Sequence, residues 1–363
     1  MKIAYVLESS ALFGGVKVVL RQAEALLKRG HHSVVISLEK YPSWFDGHIL
    51  FKEEDPLYRK VVKKLDQTIG TFPRLTLPLY LKLLKSFEQI FVTSPRLLLI
   101  LYDCPDVRNK LWHLTQGYEG DCLEAIPHML LLEKAYSLPV PKITISENLA
   151  DRLTLMFPGN YFFSVGQGLE HDYFFPRGTN SDENFQKVDR VFLVGPLNTS
   201  IKQIRKGLHA FDLARKQNPA LKLVRISTVD TQYEEEALIG PIKEYHVHIS
   251  PAKVGEVLRS GNGILISPSG PGEGFGLSAL EAMACGVPTV LTDIPSYKSF
   301  SEPCDYAKFV PDDVNFLATA LRCLMEDSHE RQRLIVRGLE VAGEFSYDSV
   351  ARNVEKILFN SME

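Results

Sequence analysis

The stretch "GILISPSGPGEGFGLSALEAMACGVPTVLT", residues 263–292, decides how the chain is read. Its first five residues, "GILIS", form a short apolar run of the kind that makes a buried strand. "LSALEAMAC" (Leu277 to Cys285) is built of helix formers with apolar residues at helical spacing, and "VPTVLT" reads as the next strand. The loop "SPSGPGEGFG" carries Gly270, Gly272, Gly274 and Gly276 with Pro268 and Pro271. That composition admits positive φ and lets a ligand come close to the backbone. The first amides of the following helix are then free to point at an anion.

Two carboxylates, Glu273 in the loop and Glu281 inside the helix, flank this turn eight residues apart. A carboxylate has two acceptor oxygens, so a helix-borne glutamate can take both hydroxyls of a vicinal diol such as a ribose. Glu273, nearer the loop tip, could reach a second polyol. The pair would then bracket a molecule with a sugar at each end and negative charge between, which describes a nucleotide diphosphate sugar. On spacing alone the pair also fits solvated charges at a helix start, where acidic residues are favoured.

Outward from this stretch, the strand–loop–helix pattern recurs. "KIAYVLE" is a strand, "SSALFGG" a loop with Gly14 and Gly15, "VKVVLRQAEALLKRG" an amphipathic helix stopped by Gly30, and "HSVVISL" a second strand. Strands at 89–94, 110–115 and 142–146 follow, alternating with apolar helical stretches, as in a parallel sheet covered on both faces. A polar, proline-marked segment, "FFPRGTNSDENFQKVD" (Phe174 to Asp189), reads as a linker. The alternation then restarts with "RVFLVG", "KQIRKGLHAFDLARKQN", "LKLVRIS", "PAKVGEVLRSG" and the opening stretch. The expected fold class is α/β, with two doubly wound Rossmann-like domains facing across a cleft. Residues 1–174 make the first and 175–345 the second, with ligands outside the carboxyl ends of the strands.

A chain of 363 residues, 45% of them hydrophobic, is sufficient for two cores. No apolar run approaches the roughly 18 to 20 residues that span a bilayer. "MKIAYVLE" meets Glu8 too soon for a signal peptide, so a cytoplasmic location is expected. The five cysteines, Cys104, Cys122, Cys285, Cys304 and Cys323, show no CxxC and no metal-ligand spacing, as reduced thiols would. A net charge of −3 argues against nucleic acid as a partner. The cluster "YRKVVKK", with Arg59, Lys60, Lys63 and Lys64, precedes the apolar "LPLYLKLL" (Leu77 to Leu84). Such a segment can hold a protein peripherally on the inner face of an anionic membrane, and a solvated helix face explains it as well.

"SPSGPGEGFGLSALEAMACGVPTV" resembles the signature of the retaining GT-B glycosyltransferases of family four, in which two glutamates eight apart flank a "GFG" turn. Further matches appear in the family's order along nearly the whole chain. They are "FGG" after the first strand, "ISENLADRL", "GQGLEHDYFFP", "VGPLNTSIKQIRKG" and a closing helix in "EFSYDSVARNVEKIL". The resemblance implies that Glu281 binds the ribose and Glu273 the donor sugar. It also implies that the amides of Gly274, Phe275, Gly276 and Leu277 face the transferred sugar and the diphosphate. Gly14 and Gly15 fall on the family's other glycine turn, beside the donor phosphates and the acceptor, and residues 346–363 cross back to the first domain.

Family members supply an arginine and a lysine after the first strand of the second domain to neutralise the leaving diphosphate. Here Pro196 stands where the arginine is expected, and "IKQIRKG" offers Lys202, Arg205 and Lys206. Counting back from "AFDLARKQNP" selects Lys202, whereas the motif letters select Arg205 and Lys206, so the register stays open. On the acceptor side, "WHLTQGYEGD" resembles the "QxYE" stretch of some surface-polysaccharide transferases and offers Gln116, Tyr118 and Glu119. His113 reads as a packed strand residue. The family reacts by front-face attack assisted by a donor phosphate oxygen, which requires no enzymic base.

The expectation is therefore a metal-independent, retaining hexosyltransferase that uses a nucleotide sugar donor as co-substrate, needs no cofactor, and acts on a glycan or lipid-linked acceptor in bacterial surface-polysaccharide synthesis. A GT-B nucleotide-sugar epimerase and a catalytically inactive GT-B partner subunit, the latter suggested by Pro196, are the alternatives.

Overall fold

A computed structural model of the chain describes residues 1–37, 39–53, 81–177 and 187–360. It divides into two compact units. The first comprises residues 1–120, 126–168 and 347–363, and the second 121–125 and 169–346. The basic cluster at 58–64 and residues 77–80 of the apolar run after it lie outside the described residues, as does most of the expected linker.

The first unit is a seven-stranded sheet whose recorded pairings are all parallel. In chain order its strands are β1 (Lys2–Leu7), β2 (His32–Ser37), β3 (Leu50–Glu53), β4 (Gln89–Val92), β5 (Leu111–Thr115), β6 (Lys142–Thr144) and β7 (Phe162–Ser164). In space they run β3-β2-β1-β4-β5-β6-β7. Side chains alternate across a strand, so β1 feeds two cores. Ile3, Tyr5 and Leu7 join one cluster with Val19, Leu20 and Leu26 of the helix Gly14–Lys28, and Ala4 and Val6 join the other with Ile90, Leu98 and Leu101. Both faces are covered, as a parallel sheet requires.

The helix Tyr347–Asn360 completes the first of these cores, burying Val350, Ala351, Val354 and Leu358 in it. Its polar side is pinned to the helix Gly14–Lys28 by the adjoining Arg29, which donates to Glu355 at 2.9 and 2.8 Å and to Asp348 at 3.0 Å. His31 Nε2 lies 2.8 Å from the same Glu355. The chain therefore returns to its first unit at the end.

The second unit is a six-stranded sheet, also parallel at every recorded pairing. Its strands are β8 (Arg190–Val194), β9 (Lys222–Ser227), β10 (Glu244–Val247), β11 (Gly263–Ser267), β12 (Thr289–Thr292) and β13 (Lys308–Val310), in the spatial order β10-β9-β8-β11-β12-β13. Its core joins Val191 and Leu193 of β8 with Ile264 and Ile266 of β11 and with Leu208, Phe211, Leu317 and Leu321 from the covering helices. The longer segment of the second unit starts at Leu169, where residue 175 was expected. Leu169 and Phe174 are buried, and Arg259 of the helix Pro251–Arg259 donates to the Tyr173 carbonyl at 2.5 Å. Among the described residues no helix is long and apolar enough to cross a membrane.

Candidate active site

The order reverses between β8 and β11, which lie side by side, and the loops leaving their carboxyl ends carry most of the expected donor residues. The loop after β11 turns into the helix Leu277–Ala284 at Gly276, whose φ of 98° is the left-handed conformation glycine tolerates. A Cβ there would stand 2.2 Å from the Tyr297 ring. Tyr297 is fully buried, and its hydroxyl lies 2.5 Å from Ser267 Oγ at the end of β11. Burial, and secondarily the charge of Glu273, push its phenol up and keep it neutral. Ser296 Oγ donates to the Glu273 carbonyl, so the short helix Pro295–Lys298 braces the glycine turn from behind. Gly276 supplies no side-chain cap, and the helix begins with none over its first amides.

The loop after β8 meets this turn. Ile201 accepts a hydrogen bond from the Gly270 amide at 2.8 Å, and Lys202 Nζ donates to Glu273 Oε2 at 2.7 Å. The two side chains are 26% and 9% exposed, which places the ion pair at a partly desolvated surface. Lys206, in the first turn of the helix Ile204–Arg215, is paired instead with Asp312, and Arg205 is exposed. Of the three expected cations, Lys202 is the one the structure brings to Glu273.

Glu281 lies in the second turn of its helix and is 7% exposed. One turn further, burial pushes the Cys285 thiol up to about 12, with Arg259 opposing and Glu281 adding to the effect. Phe275 contributes its backbone to the turn while its ring is buried against Phe300 and Phe345, at 4.9 and 5.5 Å between centroids.

In the first unit, Gly14 and Gly15 open the helix Gly14–Lys28. Gln116 Nε2 donates to the Gly15 carbonyl at 2.9 Å, and a Cβ on Gly15 would come within 3.1 Å of Gln116 Oε1, so glycine turn and glutamine are fitted to each other. Sequence reading missed what shapes this loop. The Ser10 amide and the Ser9 hydroxyl donate to Glu39 at 2.7 and 2.8 Å, and Trp44 Nε1 donates to the Ser10 carbonyl at 3.1 Å. Tyr118 is not displayed as expected: it is 6% exposed, with its ring packed on Tyr136 and Phe157. Glu119 accepts from the Tyr136 hydroxyl at 2.6 Å. His113 is fully buried with neither ring nitrogen hydrogen-bonded, and burial, with Lys142 adding, lowers it to about 3. It is a neutral core residue, as its strand position implied.

Residues 180–341 match the family model described as glycosyl transferases group 1. A phosphatidyl-myo-inositol mannosyltransferase of Mycobacterium leprae is 28% identical over 95 residues, 26% of this chain and 25% of that protein. O-antigen chain mannosyltransferase B of Escherichia coli is 37% identical over 79 residues, 21% and 20% of the two chains. The aligned segments thus span a quarter or less of these curated relatives. Among solved structures, Anabaena HepE in complex with UDP and glucose superimposes with a TM-score of 0.74 at 13% identity, covering 99% of both chains.

Proposed function

We propose, for a chain whose residues 180–341 match the glycosyl transferases group 1 model and whose two sheets have the GT-B pattern, that it is a retaining hexosyltransferase. It would take a hexose from a nucleoside diphosphate sugar and pass it to a glycan or lipid-linked acceptor in bacterial surface-polysaccharide synthesis. The observation that carries this reading is the 2.7 Å contact between Lys202 and Glu273 beside the glycine turn. It puts a cation, an acidic acceptor and a run of uncapped amides at one sheet end, where a diphosphate and a polyol fit together. The mannosyltransferase relatives and the UDP and glucose bound to HepE support the same donor class.

In this mechanism Glu281 accepts from the ribose hydroxyls, and Glu273 accepts from the sugar once the diphosphate has drawn Lys202 away. The bond from the anomeric carbon to the diphosphate oxygen breaks as the acceptor oxygen bonds that carbon on the same face. The acceptor proton passes to the departing phosphate oxygen, so no enzymic base is needed. Lys202 and the amides of Gly274 to Leu277 stabilise the charge that grows on the diphosphate without a metal ion. Gln116, which carries the Gly15 turn, is the leading acceptor-side group, with Tyr118 and Glu119 shaping its loop. The basic segment at Arg59, Lys60, Lys63 and Lys64 would seat the protein on a cytoplasmic anionic membrane surface.

The test is incubation with UDP-, GDP- and ADP-hexoses, with and without lipid-linked and glycan acceptors, following nucleotide release and product anomeric configuration by NMR. Acceptor-dependent release with retained configuration is the expected result. Release or isomerisation without acceptor would make the protein an epimerase, and absence of turnover with every donor would make it an inactive partner.

A further inference from the structure

The fully buried Arg225, in the middle of β9, belongs to neither the expected donor set nor the sheet's apolar core. Its guanidinium makes a two-pronged pair with Glu235, Nε and Nη2 donating at 2.6 and 2.7 Å, and both side chains are 0% exposed. Glu235 is itself held, accepting from Thr231 Oγ1 and Tyr245 OH at 3.0 Å each. The remaining donors face the end of β8: Nη1 reaches the Leu193 carbonyl at 2.5 Å and Nη2 the Gly195 carbonyl at 2.9 Å.

Gly195 is the first residue after β8. It has a φ of 131°, its amide is spent on the Ile226 carbonyl at 2.9 Å, and a Cβ on it would lie 3.4 Å from Cγ of Lys202. The stem of Lys202 therefore passes beside Gly195 with room for no more than a methyl group between them, and its Nζ reaches Glu273. Hydrogen bonds link Thr231 and Tyr245 to Glu235, Glu235 to Arg225 and Arg225 to Gly195, and Lys202, which pairs with Glu273, is the side chain beside that glycine. Burying an arginine–glutamate pair gains little stability over apolar residues of the same size. What it supplies here is a rigid multi-donor fork that fixes the carbonyls of Leu193 and Gly195, one near the end of β8 and one in the turn that leaves it.

We propose that Arg225 is a positioning residue for the diphosphate-binding cation, holding the turn at Gly195 so that Lys202 is delivered to the donor phosphates. The inference rests on the donor site described under the proposed function. Arg225 is buried behind the turn and paired, so it acts through Lys202 and does not replace the arginine absent at Pro196.

The test uses the full chain and calorimetry with UDP, GDP and ADP and with the matching nucleosides. If wild-type protein binds no diphosphate more tightly than its nucleoside, the donor-site reading itself fails. If it does, Arg225→Lys, which keeps the charge and loses the fork, should weaken the diphosphate about tenfold or more, near 1.4 kcal/mol, and the nucleoside by less than about twofold. In a Lys202→Ala background the same substitution should have almost no effect on the diphosphate, because the group it positions is gone. Equal weakening of both ligands, or an effect undiminished without Lys202, would reduce Arg225 to a structural residue and overturn the proposal. Should Arg225→Lys not fold, Arg225→Met combined with Glu235→Leu removes the same carbonyl contacts without leaving a buried charge and is held to the same outcomes.

Discussion

Lys202 and Lys206 are one helical turn apart in sequence, yet one is paired with Glu273 and the other with Asp312. If Lys202 neutralises a departing diphosphate, Lys202→Ala should lower kcat about a hundredfold, since the contact strengthens as charge develops. Lys206→Ala should stay within a few-fold of wild type. Equal losses in steady-state kinetics would return the register to doubt. Glu281→Ala removes a two-oxygen acceptor, so free nucleoside diphosphate should bind weaker by about 1.5 to 3 kcal/mol in calorimetry. An unchanged Kd would reduce Glu281 to a helix charge. At this scale the sequence exposed the glutamate pair and the glycines, because turn chemistry is local. It could not separate the two lysines, because a Gln203 φ of 47° displaces the short turn Ser200–Lys202 from the following helix, and the partners are 71 and 106 residues away. Arg225 was hidden for the same reason: "LKLVRIS" reads as an ordinary strand, and its fork becomes visible only when Glu235 and the β8 carbonyls are in place.

Four strands escaped the sequence reading, and they are the two edges of each sheet: β3, β7, β10 and β13. They are three or four residues long and include "LFKE", "EYHV" and "KFV", in which charged residues break the apolar run. Edge strands bury less and are kept short and charged, so the signal that marks the inner strands is weak in them. The turn into the helix Leu277–Ala284 was legible, but the reason Gly276 must be glycine was not. Gly276→Ala would carry both the positive φ and a contact with a buried ring, and should lower the second unit's stability by roughly 1 to 3 kcal/mol. Melting followed by calorimetry, with nucleotide binding in parallel, checks it. An unshifted transition would mean that the Tyr297 ring yields without cost.

Over the whole molecule, both tryptophans, Trp44 and Trp112, fall in the first unit, so their fluorescence reports that unit alone. Hydrogen bonding from Arg29 is the main influence lowering the Glu355 carboxyl below its ordinary 4.5, with His31 adding to it and burial opposing. A carboxylate depressed in the folded state stabilises it fully above the unfolded value, and the contribution is lost as pH falls through the folded one. Arg29→Ala should therefore lower the fluorescence Tm at pH 7, and the gap from wild type should close below pH 4.5. A gap that persists in acid would assign the effect to packing. The return of residues 347–360 to the first unit also bears on how the protein is made. A ribosome releases Ile3, Leu20 and Phe91 early, but the partners that finish their core, Val350, Val354 and Leu358, are added only after the entire second unit has been translated. The first unit to be synthesised is the last that can be completed, and until then its helix Gly14–Lys28 presents an uncovered apolar flank to the cell's chaperones.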